Sequence, residues 1–166
     1  LAEHEDAEAR EQVMIAYRRR DIRIHESQVI EFVIVSPWKV FGITQIRHLQ
    51  EDLALTDVEK TIVDCLDRLD LSGGVSQVAQ ILKMAAADKK INEIKLVQYA
   101  KKMRSKALIQ RLGYLLERTK LLPDARKAFQ RLRQAVPTPL DPRALRRGNL
   151  NKTWRVIEND EVDLTA

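Results

Sequence analysis

Five carboxylates crowd one short stretch: Asp57, Glu59, Asp64, Asp67 and Asp70. Carboxylates gathered this way can hold a divalent cation or exchange protons. Their spacing points elsewhere. Asp57 and Glu59 fall in the first turn of a predicted helix, where negative side chains favour the helix dipole. Asp64 and Asp67 are one turn apart, with Lys60 and Arg68 in reach, so ion pairs along a helix surface account for them. A nuclease of the acid-plus-lysine type needs carboxylates and a lysine on adjoining strands. Glu93-Ile94-Lys95 has that spacing but lies in a helical pattern. His4, His25 and His48 are scattered, without the paired spacing that zinc requires. There is no Gly-x-Ser-x-Gly and no Walker-type loop, and Ser72-Gly73-Gly74 reads as a helix stop. The expectation is a non-enzyme with no catalytic residue, no cofactor and no metal.

Basic residues are the better candidates. Arg18-Arg19-Arg20 stands at a strand end. Arg146, Arg147, Lys152 and Arg155, with Arg143 ahead of them, line the C-terminal segment. Arginine and lysine suit phosphate contacts, which position a protein on DNA without reading its sequence. Arg18, Arg19, Arg20, Arg146, Arg147, Lys152 and Arg155 are therefore candidate DNA-backbone contacts. Lys101, Lys102, Arg104 and Lys106, between two predicted helices, form a secondary set. The alternative for each cluster is a solvated basic surface. Two helices joined at Lys101–Lys106 also suggest a helix-turn-helix, with Lys106, Gln110, Arg111 and Arg118 facing a groove. The broad apolar side of the second helix, Leu112, Leu115 and Leu116, favours a core helix with a basic rim instead.

The balance of charge is consistent with an acidic partner. Net charge is +5, with 29 Lys and Arg against 24 Asp and Glu, although residues 1–11 are acidic. At 166 residues, 45% hydrophobic and 32% charged, the chain fits one soluble domain able to bury a core. No apolar run reaches the ~20 residues of a membrane span, and no signal peptide precedes the first charges. The single cysteine, Cys65, excludes an internal disulfide and fits a reducing cytoplasm; its place in a helical pattern predicts a small buried hydrophobe.

These residues must be positioned by a mixed architecture. Val13–Tyr17, Ile22–Ile24 and Val29–Val35 read as strands, the last richest in branched and aromatic residues. Pro37 ends it, and Ile46–Leu55 supplies a further strand closing at Leu53-Ala54-Leu55. The period then changes. Thr56 and Glu59 form a capping-box pattern, and Val58, Ile62, Val63, Leu66 and Leu69 follow at helical spacing. Further helices are expected from Val75 to Ala86, from Asn92, from Ser105 and from Pro123. In the fourth, Arg111-Leu112-Gly113-Tyr114-Leu115-Leu116-Glu117 is the organising stretch: a mid-helix glycine costs on the order of 1 kcal/mol, which implies close backbone approach by a neighbouring helix. Pro137, Pro139 and Pro142 enforce extended chain. Thr153–Ile157 is a last strand around Trp154, and Glu158–Ala166 an acidic frayed tail. The fold expected is α+β: a small antiparallel sheet against a bundle of about five helices, with a short C-terminal strand. It is one domain over 1–166, with strands in 1–55, the bundle in 56–136 and an extended segment in 137–166.

The order and spacing of several stretches resemble the effector portion of the AbiEi family. They are Thr56-Asp57-Val58-Glu59-Lys60-Thr61-Ile62-Val63-Asp64-Cys65-Leu66, Ser72-Gly73-Gly74, Leu96-Val97-Gln98-Tyr99-Ala100, Ser105-Lys106-Ala107, the Arg111–Glu117 stretch, Leu140-Asp141-Pro142 and Asn151-Lys152-Thr153-Trp154-Arg155-Val156. That family comprises antitoxins and predicted transcriptional regulators of bacterial and archaeal type IV toxin–antitoxin operons. The resemblance implies repression of the protein's own operon and antagonism of a nucleotidyltransferase-like toxin, without need of a stable complex. It also implies a winged helix-turn-helix upstream of Leu1, which carries most operator DNA contact. No short catalytic set is carried over. The rival expectation is a protein-interaction module, a homodimer or toxin holder, using leftover apolar residues such as Trp38, Phe41 or Trp154.

Overall fold

A computed structural model describes residues 22–25 and 28–164. The predicted strand Val13–Tyr17 and the Arg18-Arg19-Arg20 cluster lie outside the described residues. The chain divides into two compact units, residues 1–37 and 38–166. In the first, β1 (Ile22–His25) pairs antiparallel with β2 (Gln28–Ile30), with a register irregularity between Arg23 and His25. The expected long strand Val29–Val35 is not formed: pairing ends at Ile30, and 31–36 are irregular. Branched residues favour strands only where a neighbour lets them pack, and no described strand pairs with 31–36.

The second unit opens on a hairpin of β3 (Ile43–His48) and β4 (Glu51–Thr56), in register from Ile43 opposite Thr56 to His48 opposite Glu51. Five helices follow: α1 (Val58–Asp67), α2 (Gly74–Ala87), α3 (Glu93–Lys102), α4 (Lys106–Thr119) and α5 (Pro123–Leu132). The chain ends in a three-stranded sheet ordered β5-β7-β6, from β5 (Thr138–Pro139), β6 (Asn149–Asn151) and β7 (Val156–Glu158). Among the described residues the fold is α+β with five α-helices, as the sequence implies, and the strands form three small sheets, not one sheet beneath the bundle.

The helix starts follow side-chain chemistry. Asn92 accepts from the Lys95 N–H at 3.1 Å and Ser105 from the Leu108 N–H at 3.2 Å, both as read from the sequence. At α1 the cap is Asp57, not Thr56: Asp57 Oδ1 accepts from the Lys60 N–H at 2.9 Å. Thr56 remains the last residue of β4, which moves the cap one position on. Glu59 does not reach back in a capping box. Its Oε1 crosses to accept from the Asn92 N–H at 2.7 Å. α1 ends at Asp67 with Arg68 as its C-cap, short of the stop expected at Ser72-Gly73-Gly74. Ser72 Oγ donates to the Cys65 carbonyl at 2.8 Å across the intervening turn, and Gly73, at φ 76°, leads into α2.

Helix α4 is the centre of the unit. It touches every other helix as well as β5 and β7, and every residue from Leu108 to Leu116 is buried. Burying a leucine side chain contributes about 1.5–3 kcal/mol, and Leu108, Leu112, Leu115 and Leu116 are all 1% exposed or less. Gly113 lies in this helix as expected, but the group against it is not another helix backbone. A Cβ there would lie only 2.0–2.5 Å from three atoms of the six-membered ring of Trp154. Trp154 is fully buried and sits in the turn between β6 and β7, not in a strand. The C-terminal tail is anchored. Val162 and Leu164 pack against the core, and Ser76 Oγ and Lys83 Nζ hold the carbonyls of Glu161 and Leu164 at 3.1 and 2.9 Å. Its alternating apolar residues outweigh its acidic charge.

Candidate nucleic-acid interface

The clustered carboxylates are spent on the fold. Asp57 Oδ2 receives the Tyr99 hydroxyl at 3.0 Å and the Lys95 ammonium at 3.0 Å; the same ammonium lies 3.1 Å from Glu59 Oε2. Burial pushes the Asp57 carboxyl up, but the Lys60 N–H, Lys95 and Tyr99 outweigh it and hold it below the usual range. Hydrogen bonds to Asp57 and Glu59 raise Lys95, and burial, followed by the Asp57 bond, raises Tyr99. Glu93 Oε2 accepts from the Ala125 N–H at 2.7 Å and so caps α5. Lys60 pairs with Asp64, as its spacing implies, but Asp67 pairs with Lys39 at 2.5 Å and Arg68 with Asp70 at 2.7 Å. Every one of these carboxylates therefore closes a helix end or an ion pair. Cys65 is half-buried against the core, and burial, reinforced by Asp64, raises its thiol. His48 is exposed opposite Glu51 in the hairpin. Among the described residues no three His, Cys, Asp or Glu side chains converge on a possible metal position.

The helix-turn-helix reading does not survive. Gln110 is fully buried, and its Nε2 donates to the carbonyls of Val136, Trp154 and Arg155 at 3.0–3.1 Å. Arg111, 8% exposed, donates from Nε to the Pro139 carbonyl at 2.9 Å. Both side chains tie the proline-rich segment to α4. They could not also reach a groove.

The basic candidates separate into three groups. Arg18, Arg19 and Arg20 are not among the described residues. Arg146, Arg147 and Lys152 are exposed and have no ion pair among the described residues. Arg155 differs. It is half-buried at φ 57°, and its Nε donates to the Ala135 carbonyl at 2.8 Å, so its guanidinium is partly spent on the fold. Arg143 is also committed, with a forked pair to Asp141 in which NH2 approaches Oδ2 at 2.6 Å. That pairing holds Asp141 below the carboxylate range.

The secondary set gathers at the corner between α3 and α4. Lys101, Lys102, Arg104 and Lys106 are all exposed there. What sequence spacing could not show is the pair of aromatics beside them. The Arg104 guanidinium lies 5.2 Å from the centre of the Trp38 ring, and Lys102 Nζ lies 4.4 Å from that of Phe41. Lys60 Nζ sits over the same Phe41 ring at 4.7 Å, and Tyr99 meets it edge-on at 4.9 Å. Each such cation–ring contact is worth roughly 0.5–1 kcal/mol at an exposed site. The only sequence signal was Trp38-Lys39-Val40-Phe41 itself, aromatics left after the core was accounted for. Of the three residues named for an interaction face, Trp38 is 43% exposed, Phe41 is half-buried and Trp154 is fully enclosed. Trp154 is thereby removed from any surface.

No protein-family model, no curated protein and no solved structure matches this chain. Among the described residues no helix is long and apolar enough to cross a membrane.

Proposed function

We propose that this chain is the effector region of an AbiEi-like antitoxin and transcriptional regulator, working in the cytoplasm. It represses its own operon, with operator reading assigned to the family's winged helix-turn-helix module, and counteracts a nucleotidyltransferase-like toxin. The observation that carries this reading is a division of labour among charges. The clustered carboxylates Asp57, Glu59, Asp64, Asp67 and Asp70, with Glu93, are taken up by caps and ion pairs, while Arg146, Arg147 and Lys152 and the four cations of the α3–α4 corner stay exposed. Exposed cations without carboxylate partners suit contacts to backbone phosphate. A second support is that the stretches carrying the resemblance interlock. Asp57 caps the helix holding Ile62 and Val63, Gly113 receives Trp154, Arg111 holds Pro139, and Asn151 Oδ1 accepts from the Trp154 N–H at 3.0 Å. The test is growth rescue. Full-length protein is expressed with the nucleotidyltransferase-like protein of the same operon. Restored growth is expected; arrest unaffected by the protein would contradict the reading.

One observation favours a second reading, an interaction module without DNA contact. All twelve strand residues of the β3–β4 hairpin are exposed, six on each strand. By register, Thr44 with Leu55 and Ile46 with Leu53 share one face. A two-stranded hairpin alone is marginal in water, so an apolar face of this kind suits a second copy or a toxin surface. Light scattering distinguishes the cases for a second copy: a dimer converted to monomer by Ile46→Lys with Leu53→Lys supports it.

A further inference from the structure

The turn between α3 and α4 breaks a local rule. Arg104 follows the last turn of α3 at φ 56°, a left-handed position where glycine is the inexpensive choice. A non-glycine residue held there costs on the order of 1 kcal/mol. Six other described non-glycine residues also have positive φ, so what marks this one is where its side chain goes. Here the side chain is aimed at Trp38, which at 43% exposure keeps an aromatic surface in solvent. Beside it, Phe41 is half-buried and flanked by Lys60, Lys102 and Tyr99. Phe41 is therefore a support for Lys102, and Trp38 is the ring that a planar ligand can reach.

The cations of the α3–α4 corner lack described carboxylate partners. Among the described residues Lys101, Lys102 and Arg104 enter no ion pair, and Lys106 Nζ reaches only the Leu132 carbonyl at 3.3 Å. Lys60, over the Phe41 ring, is paired with Asp64, and Lys39, next to Trp38 in sequence, with Asp67. An accessible indole amid cations matches a chain of alternating planar bases and phosphates. A duplex keeps its bases stacked on one another, so only unpaired bases can use the ring. We propose that the α3–α4 corner binds single-stranded nucleic acid, with Trp38 as a stacking platform and Lys101, Lys102, Arg104 and Lys106 as phosphate contacts. Few base-reading side chains stand nearby, so binding is tolerant of sequence. Neither toxin nor promoter enters the test, so the corner's role stands or falls apart from the antitoxin reading.

The experiment titrates the full chain with an oligothymidylate of about 16 nucleotides, the upper end of single-strand site sizes. Of the two tryptophans Trp154 is fully buried, so quenching of fluorescence reports Trp38. Quenching is expected. Trp38→Ala should weaken binding about five- to a hundred-fold, and Trp38→Phe should recover most of it. Arg104→Gly should lower the slope of log affinity against log salt by about 0.7, with a melting temperature equal to or above that of wild type. This second variant decides the matter if Trp38→Ala does not fold. The proposal is overturned by unchanged affinity in a folded Trp38→Ala protein, by tighter binding of a duplex of equal length, or by inorganic polyphosphate binding as well as the oligonucleotide.

Discussion

A single methyl group tests how α4 is held. Gly113 meets the Trp154 ring so closely that even alanine has no room. Gly113→Ala should lower stability by about 1–3 kcal/mol through overpacking, and Gly113→Leu by more. Thermal melts check this; an unchanged melting temperature for both would mean the ring does not lie where described. The mid-helix glycine in an apolar stretch announced a close approach. It did not name the partner, because Trp154 arrives from a turn far along the chain, and local spacing carries no information about that. A second residue-scale test lies in the β3–β4 turn, where Leu49 and Gln50 adopt φ 46° and 71°. Hairpin turns with two positive φ angles favour Asn-Gly. Replacing Leu49→Asn together with Gln50→Gly should raise stability by up to about 1–2 kcal/mol. A lower melting temperature would show that the exposed Leu49 makes contacts which offset its backbone strain.

At the scale of elements, the joins between helices rest on carboxylates that reach across to neighbouring helix starts. Asp57 caps its own helix and receives Tyr99 and Lys95 from α3, while Glu59 caps α3 and Glu93 caps α5. The pH dependence follows with a definite sign. Asp57 is held below its ordinary value in the folded protein. Its stabilisation is therefore present above the unfolded carboxylate pKa of about 3.9 and is lost as pH falls through the lower folded value. Denaturant melts between pH 7 and pH 2.5 should show this acid loss, and Asp57→Asn should make the slope shallower. Equal slopes in the two proteins would show that Asp57 does not set the acid response. The helix starts were legible, but α1 ends at Asp67, short of the Ser72-Gly73-Gly74 stop. Asn92, Ser105 and Pro123 are local signals acting within one turn of the residues they affect. The strands were not, since Val29–Val35 is strand-prone but has no described partner beyond Ile30, and pairing is a non-local property. The cross-helix roles of Glu59 and Glu93 were hidden for the same reason.

At the scale of the whole molecule, the sequence marked which cations stand apart, and the fold sorts them. Arg146, Arg147 and Lys152 are exposed and enter no ion pair among the described residues, whereas Arg155 and Arg143 serve the C-terminal segment. The apolar side of α4 favours a core helix over a groove-reading one, and the fold agrees: Gln110 and Arg111 are buried ties between α4 and the proline-rich chain. Sequence pattern gives residue type and helical face, but not which chain segment arrives to cover that face. On the proposed reading Arg146, Arg147 and Lys152 would contact phosphate and add affinity without specificity. The most direct measurement is binding of full-length protein to its promoter duplex and to a scrambled duplex across a salt series, with Arg146, Arg147 and Lys152 intact or all changed to alanine. An equal fall in affinity for both duplexes is predicted, with the slope of log affinity against log salt reduced by about 0.9 for each phosphate no longer neutralised. Identical affinity and identical slope after the substitution would contradict it.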